Sequence, residues 1–371
     1  MRKLIIVLNY FSALCLIVLL YVAVYIYVED SKNLQLALEA NAAKTEALYV
    51  SLTGRHGIGK SAVGAELALK YNLQMIDVRL AQCDPTDLLG FPHIDEKRNK
   101  ALYVPMDTFP IASDPLPEGK DGWLLFLDEF NSADRGVQKA AYKLVLDQMV
   151  GMEHLHPNVA IIAAGNLDTD NAIVEEMSTA LQSRLIHFNL VSDPVAWLKW
   201  AQGPGNISYQ VTAWIEYKPS KLNTFDPENN SEESSYGCER TWHFVSRLLP
   251  YLDISDQEAS LAVLAGTVGE GLAREFIAFL HIFEDLPKIS EIVAAPMTVA
   301  VPEAPSTVYA LSGALADNAN PGNIDALMQY TSRIDAEYQV TVLRGMVRRN
   351  RDLLDSPAIG KWLDTNNTEL F

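Results

Sequence analysis

Gly54-Arg55-His56-Gly57-Ile58-Gly59-Lys60-Ser61 is the stretch on which the reading of this chain turns. Its glycines let the backbone curl back on itself, and it sits between two very different neighbours. Before it, residues 48–52 (LYVSL) are apolar and β-prone; after it, residues 60–71 place Val63 and Leu67 on one helical face. Strand, glycine-rich turn and helix form the setting in which backbone N–H groups converge on an anion, with the positive end of the helix behind them. In that setting Lys60 is placed to bridge two phosphates of a nucleotide, and the Ser61 hydroxyl to ligate Mg²⁺. All the residues from Gly54 to Ser61 are therefore candidate positions for holding ATP.

Further along, Leu124-Leu125-Phe126-Leu127-Asp128-Glu129 is an apolar run ending in two carboxylates. A buried strand would deliver them to the carboxyl edge of a sheet, where ligands bind in open α/β folds. Asp128 is then placed to support Mg²⁺ and Glu129 to polarise an attacking water. Apolar runs at 75–80, 159–164 and 185–190 complete a series of short strands, separated by helical stretches such as 137–150. The alternation predicts an α/β fold: a three-layer αβα domain with a mostly parallel sheet covered on both faces, over residues 31–192.

After Leu190 the pattern turns helical. Asp193-Pro194 opens a helix through Trp197 and Trp200, and residues 193–286 read as an all-helical lid interrupted by a polar loop at 226–236. Residues 287–306 hold Pro287, Pro296, Pro302 and Pro305 and read as an extended linker. Residues 307–371 read as a helical C-terminal segment.

The 371 residues carry 47 acidic and 29 basic side chains, a formal charge of −18, which disfavours nucleic acid as a main partner. Cys15, Cys83 and Cys238 show no CxxC spacing, and His154 and His156 have no third ligand nearby, so a metal site built on them is not expected. Neither GxSxG nor HExxH occurs. Residues 4–28 run without a charge and are long enough to cross a bilayer, which makes residues 1–30 a candidate membrane anchor. Arg2 and Lys3 before the run, with Glu29 and Asp30 after it, would place the remainder outside the cytosol, where ATP is lacking. A reversed anchor or a start placed too far upstream would resolve the conflict, and a cytoplasmic nucleotide-binding domain is the expectation either way.

Taken with the stretch Ile76-Asp77-Val78-Arg79-Leu80, the run from Asp84 to Pro92 (DPTDLLGFP), Leu127-Asp128-Glu129-Phe130-Asn131 and Val137-Gln138, these motifs resemble the MoxR-like, dynein-related branch of AAA+ ATPases over roughly residues 34–249. The resemblance implies a hexameric ring, an insertion around residues 88–110, and a protein client remodelled or matured by ATP hydrolysis, often one with a von Willebrand A-type domain. It also implies three further site residues. Asn166 resembles sensor 1, which orients the lytic water. Arg184 resembles an arginine finger lent by one subunit to its neighbour. Arg240 resembles sensor 2 in the lid. Two departures stand out. The family's Ser-Pro-Arg-like triplet is here Cys238-Glu239-Arg240, whose Glu239 is placed to pair with the arginine, and the arginine that often follows Asn131 is displaced to Arg135.

The plain alternatives are a turn residue at Asn166, a helix-ending arginine at Arg184 and a solvated arginine at Arg135. Arg344, Arg348, Arg349 and Arg351 read as a charged helix face. Two other functions use the same motifs: a nucleic-acid motor, and a membrane-anchored scaffold that binds ATP without turning it over.

Overall fold

In the computed structural model the described residues are 49–167, 182–183, 185–227 and 235–366. The candidate anchor at 4–28 lies outside them. Among the described residues no helix is long and apolar enough to cross a membrane. The chain divides into two compact units, meeting in sequence between Val191 and Ser192.

The first unit runs β1 (Tyr49–Gly54), α1 (Lys60–Lys70), β2 (Leu73–Arg79), α2 (Pro85–Leu89), β3 (Phe91–Asp95), β4 (Lys100–Val104), β5 (Gly122–Asp128), α3 (Arg135–Asp147), β6 (Met149–Val150), β7 (Glu153–His154), β8 (Val159–Gly165) and β9 (Leu185–Leu190). A five-stranded sheet has the order β2-β5-β8-β1-β9, and every neighbouring pair is parallel. These are the five apolar runs read from sequence.

Burial on both faces explains their near-continuous hydrophobicity. Along β5, Leu124 and Phe126 enter one core with Leu52, Leu67 and Ile162, while Leu125 and Leu127 enter the opposite core with Val137, Ala141 and Leu144 of α3. Full burial of each such Leu or Phe stabilises the fold by about 1.5–3 kcal/mol. Gly64 lets α1 lie close on the sheet, since a Cβ there would stand 2.8 Å from the Phe126 ring. Asp134 caps α3, accepting from the N–H groups of Gly136 at 2.7 Å and Val137 at 3.0 Å. Two short hairpins, β3–β4 and β6–β7, stand outside the main sheet. The β3–β4 hairpin occupies the region where the family resemblance implied an insertion, and leaves Phe91, Ile94, Tyr103 and Val104 exposed.

The connection leaving β1 leads to β2 on one side of it, and the connection leaving β8 leads to β9 on the other. The crevice between the carboxyl ends of β1 and β8 is thus the point where strand order reverses. Register aligns the ends: Thr53 lies opposite Gly165, and Arg79 opposite Asp128.

The second unit is helical: α4 (Pro194–Gln202), α5 (Tyr209–Tyr217), α6 (Glu239–Leu248), α7 (Gln257–Val268), α8 (Glu270–His281), α9 (Ile289–Ala294), α10 (Pro305–Asn318), α11 (Ile324–Thr331), α12 (Ala336–Arg349) and α13 (Pro357–Asn366), with short 3₁₀ turns between. One of its cores is aromatic, with Trp214, Trp242, Phe276 and Phe279 in contact. The other gathers Ile292, Leu311, Leu315, Tyr330, Leu343 and Trp362.

Two expectations are corrected here. Residues 287–306 are not an extended linker, because α9 lies within them and Ile292 is fully buried. Their backbone is also pinned from the following helices. The Tyr330 hydroxyl donates to the Ala300 carbonyl at 2.7 Å, and Arg333 donates to the carbonyls of Pro296 and Val299 at 2.7 Å each. The prolines punctuate helices rather than stretch the chain, and Pro305 begins α10.

Two arginines of α12, Arg348 and Arg349, are not simply part of a charged face. Arg348 donates to Gln202 Oε1 at 2.9 Å, and Gln202 passes a bond to Glu216 Oε1 at 2.7 Å. Arg349 donates to the Ile207 carbonyl at 3.0 Å and to the Thr212 hydroxyl at 3.2 Å, and pairs with Asp317 at 3.3 Å. Burial pushes the Glu216 carboxyl up to about 7, against the opposing pull of its bond from Gln202 and of the nearby arginines.

Candidate active site

The turn after β1 takes the shape its glycines allow. Gly57 (φ 77°) and Gly59 (φ 104°) both hold left-handed backbone that a side chain would strain. Gly54 ends β1 so close to β9 that a Cβ would lie 3.0 Å from that of Leu190. Gly59 is also the N-cap of α1. Among the described residues no side chain caps α1, and no acidic residue stands in its first turn. The helix therefore presents its first amides and its positive end to whatever the turn surrounds. Arg55, His56 and Ile58 are half-buried in this turn.

Lys60 and Ser61 open α1 and face the sheet edge. The Lys60 ammonium is buried and donates to the carbonyls of Gly54 at 2.8 Å and Arg55 at 3.1 Å, and to Asn166 Oδ1 at 3.0 Å. The Ser61 hydroxyl donates to Asp128 Oδ2 at 2.9 Å. Oxygen donors on Ser61 and Asp128, side by side at a sheet edge, are the hard ligands that Mg²⁺ takes, with its remaining positions left to water and phosphate. Asp77, on the neighbouring strand, has its carboxyl pushed up, first by burial and then by the negative charge of Asp128, with Arg79 opposing.

Glu129 follows Asp128 in left-handed backbone (φ 55°, ψ 35°), a conformation uncommon for a residue with a side chain. Its N–H donates to Asp128 Oδ1 at 2.9 Å, and its carbonyl accepts from the Ser132 N–H at 3.0 Å. The tight turn that results sends Phe130 into the core, where it is fully buried. Asn131 is thereby turned towards the end of β8, where its carboxamide meets the backbone of Asn166 in two bonds, of 2.7 and 2.9 Å.

The structure thus brings together Gly54, Gly59, Lys60, Ser61, Asp128 and Asn166, with Glu129 in the turn beside Asp128. Arg184 lies outside the described residues. Arg240 is exposed on the first turn of α6, in the second unit. Glu239 does not pair with it: the Glu239 carboxylate accepts from the Ser192 hydroxyl at 2.5 Å and from the Asn223 amide at 3.2 Å, and burial raises its pKa. The sequence reading missed Asp77 and the brace at Asn131. Asn131 gave a weak signal, as an amide residue just beyond an acidic strand end, but nothing local says which backbone it meets.

No family model matches the chain, and no curated protein matches it. Among solved structures, two point mutants of Thermotoga maritima RuvB overlap with it. One has 16% identity over 76% of this chain and 80% of that one, at a TM-score of 0.37, and the other 15% over 77% and 81%, at 0.34. A Cytophaga hutchinsonii protein described as a candidate ATPase has 12% identity over 85% and 83%, at 0.31. Overlap at this level assigns neither activity nor partner, so the reading of the site rests on its own geometry.

Proposed function

We propose that this chain is an Mg²⁺-dependent ATPase of the AAA+ class. The observation that carries the reading is the convergence of Lys60, Ser61, Asp128 and Asn166 where the strand order reverses. Lys60, held over the glycine turn, places a fixed positive charge where the β- and γ-phosphates would lie, and the amides of α1 add neutral donors beside it. Ser61 and Asp128 would hold Mg²⁺, whose charge offsets that of the phosphates. Glu129, next to Asp128 in left-handed backbone, is the group to take a proton from the attacking water, and Asn166 is the amide that orients that water.

The wider reading follows from the resemblance to MoxR-like proteins. We infer a ring of identical subunits, in which Arg184 of one subunit completes the site of the next and Arg240 acts from the helical unit. The output is remodelling of a protein client, one with a von Willebrand A-type domain being the first to test. The charge of −18 suits a protein client better than a polyanion. We place the nucleotide-binding domain on the cytosolic side, where ATP is supplied, whether or not residues 4–28 tether it.

The test is the Glu129→Gln variant. It should bind ATP as the parent protein does and release phosphate at least about 10²-fold more slowly, trapping nucleotide and, in a pull-down, the client. Unchanged phosphate release would remove Glu129 from its role, and a parent protein indifferent to nucleotide would end the ATPase reading.

A further inference from the structure

Asn131 makes two hydrogen bonds to a single residue, and both go to backbone. Its Nδ2 donates to the Asn166 carbonyl at 2.7 Å, and its Oδ1 accepts from the Asn166 N–H at 2.9 Å. A carboxamide is the side chain that can satisfy one donor and one acceptor of a peptide in this paired way. The approach is tight enough to specify its neighbour as well: a Cβ on Gly165 would lie 2.7 Å from Asn131 Oδ1, so the residue before Asn166 has to be glycine for the brace to close. The Asn166 side chain is itself engaged at both ends, accepting from Lys60 and donating to the Ser132 hydroxyl at 3.4 Å.

On the ATPase reading above, we propose that Asn131 is a positioning residue. It locks the backbone of Asn166 to the turn that carries Glu129, so that the water-orienting amide and the proton acceptor keep one spacing during turnover. The turn at 129–132 is anchored by Phe130 in the core below, and β8 is anchored by its register with β1 and β5. Asn131 ties the two anchored segments together at the level where the chemistry takes place. Without it, Asn166, one residue past the end of β8, would be tied to this turn only through Ser132, since its other side-chain bond goes to Lys60, a group that must also serve phosphate. A displacement of about 1 Å in a group that orients a reactant lowers the rate by about 10²-fold.

Two variants test this. Asn131→Ala deletes the brace. Asn131→Asp keeps its size and its acceptor but sets a carboxylate oxygen against the Asn166 carbonyl. In both, kcat for ATP hydrolysis should fall by about 10²-fold. ATP affinity should stay within about twofold of the parent, because no phosphate contact is removed.

Parent-like kcat in Asn131→Asp would overturn the inference, since the side chain would then serve only to fill space. Equal losses of kcat and affinity would overturn it too, as would failure of Asn131→Asp to fold, because both make the brace a support for the whole domain. The ATPase reading fails separately, if the parent protein itself neither binds nor hydrolyses ATP.

Discussion

Both units bury charged and amide side chains, but to different ends. In the sheet unit, Lys60 bonds to Asn166 and to the glycine turn, and Ser61 bonds to Asp128, all at the carboxyl edge of one sheet. In the helical unit, Arg348, Gln202 and Glu216 form one chain of bonds, and Arg349 grips Asp317, Thr212 and the Ile207 carbonyl. The first arrangement gathers polar groups where strands end and backbone is open. The second spreads them between helices, where they tie α12 to α4, α5 and α10. Polar burial alone therefore does not mark a site; convergence at an edge with strained backbone beside it does.

The contrast can be broken at either end. The largest effect is expected at Lys60. Lys60→Ala should weaken ATP binding by about 10²-fold in a calorimetric titration, because the charge-assisted bonds to phosphate go with the ammonium. Affinity close to that of the parent would place the polar cluster of the sheet unit in the same class as that of the helices.

Next comes Arg349→Met, which keeps the aliphatic bulk and removes the inward bonds. Unfolding by urea should show a loss of about 1–3 kcal/mol, discounted because Asp317 is 39% exposed. No change would return these arginines to the surface role their spacing suggests.

A third effect is that of pH on Glu216. Its carboxyl ionises at about 7 in the folded protein against an ordinary 4.5, so the folded state holds a proton that the unfolded chain has already released. This contribution to stability is fully present below the ordinary value and is lost as pH rises through about 7. The thermal midpoint of the parent should therefore fall between pH 5 and pH 7.5 by more than that of Glu216→Gln, when both are followed by circular dichroism. Parallel pH profiles would show that Glu216 is solvated.

The five core strands, the glycine turn and the acidic strand end were all legible in the sequence, because each is a run of neighbours whose pattern states its own environment. The linker expected at 287–306 was misread for a related reason. Proline content describes local backbone, whereas the burial of Ile292 and the bonds from Tyr330 and Arg333 depend on residues some thirty positions further on. The same limit hid the partners of Arg348 and Arg349, which lie on α4, α5 and α10.

What the sequence by itself determined is the order of the parts: a phosphate-type turn between strand and helix, a carboxylate pair at the end of a buried strand, and a change to helices after Leu190. Such features follow from steric freedom at glycine and from the periodicity of apolar residues, which act over a few positions. Only the tertiary structure decided that β1 lies between β8 and β9, that Asn166 reaches Lys60 across 106 positions, and that Asn131 braces Asn166 across 35. Those pairings depend on which strand ends come level in the sheet, and strand order is settled by packing the two faces of the whole domain at once.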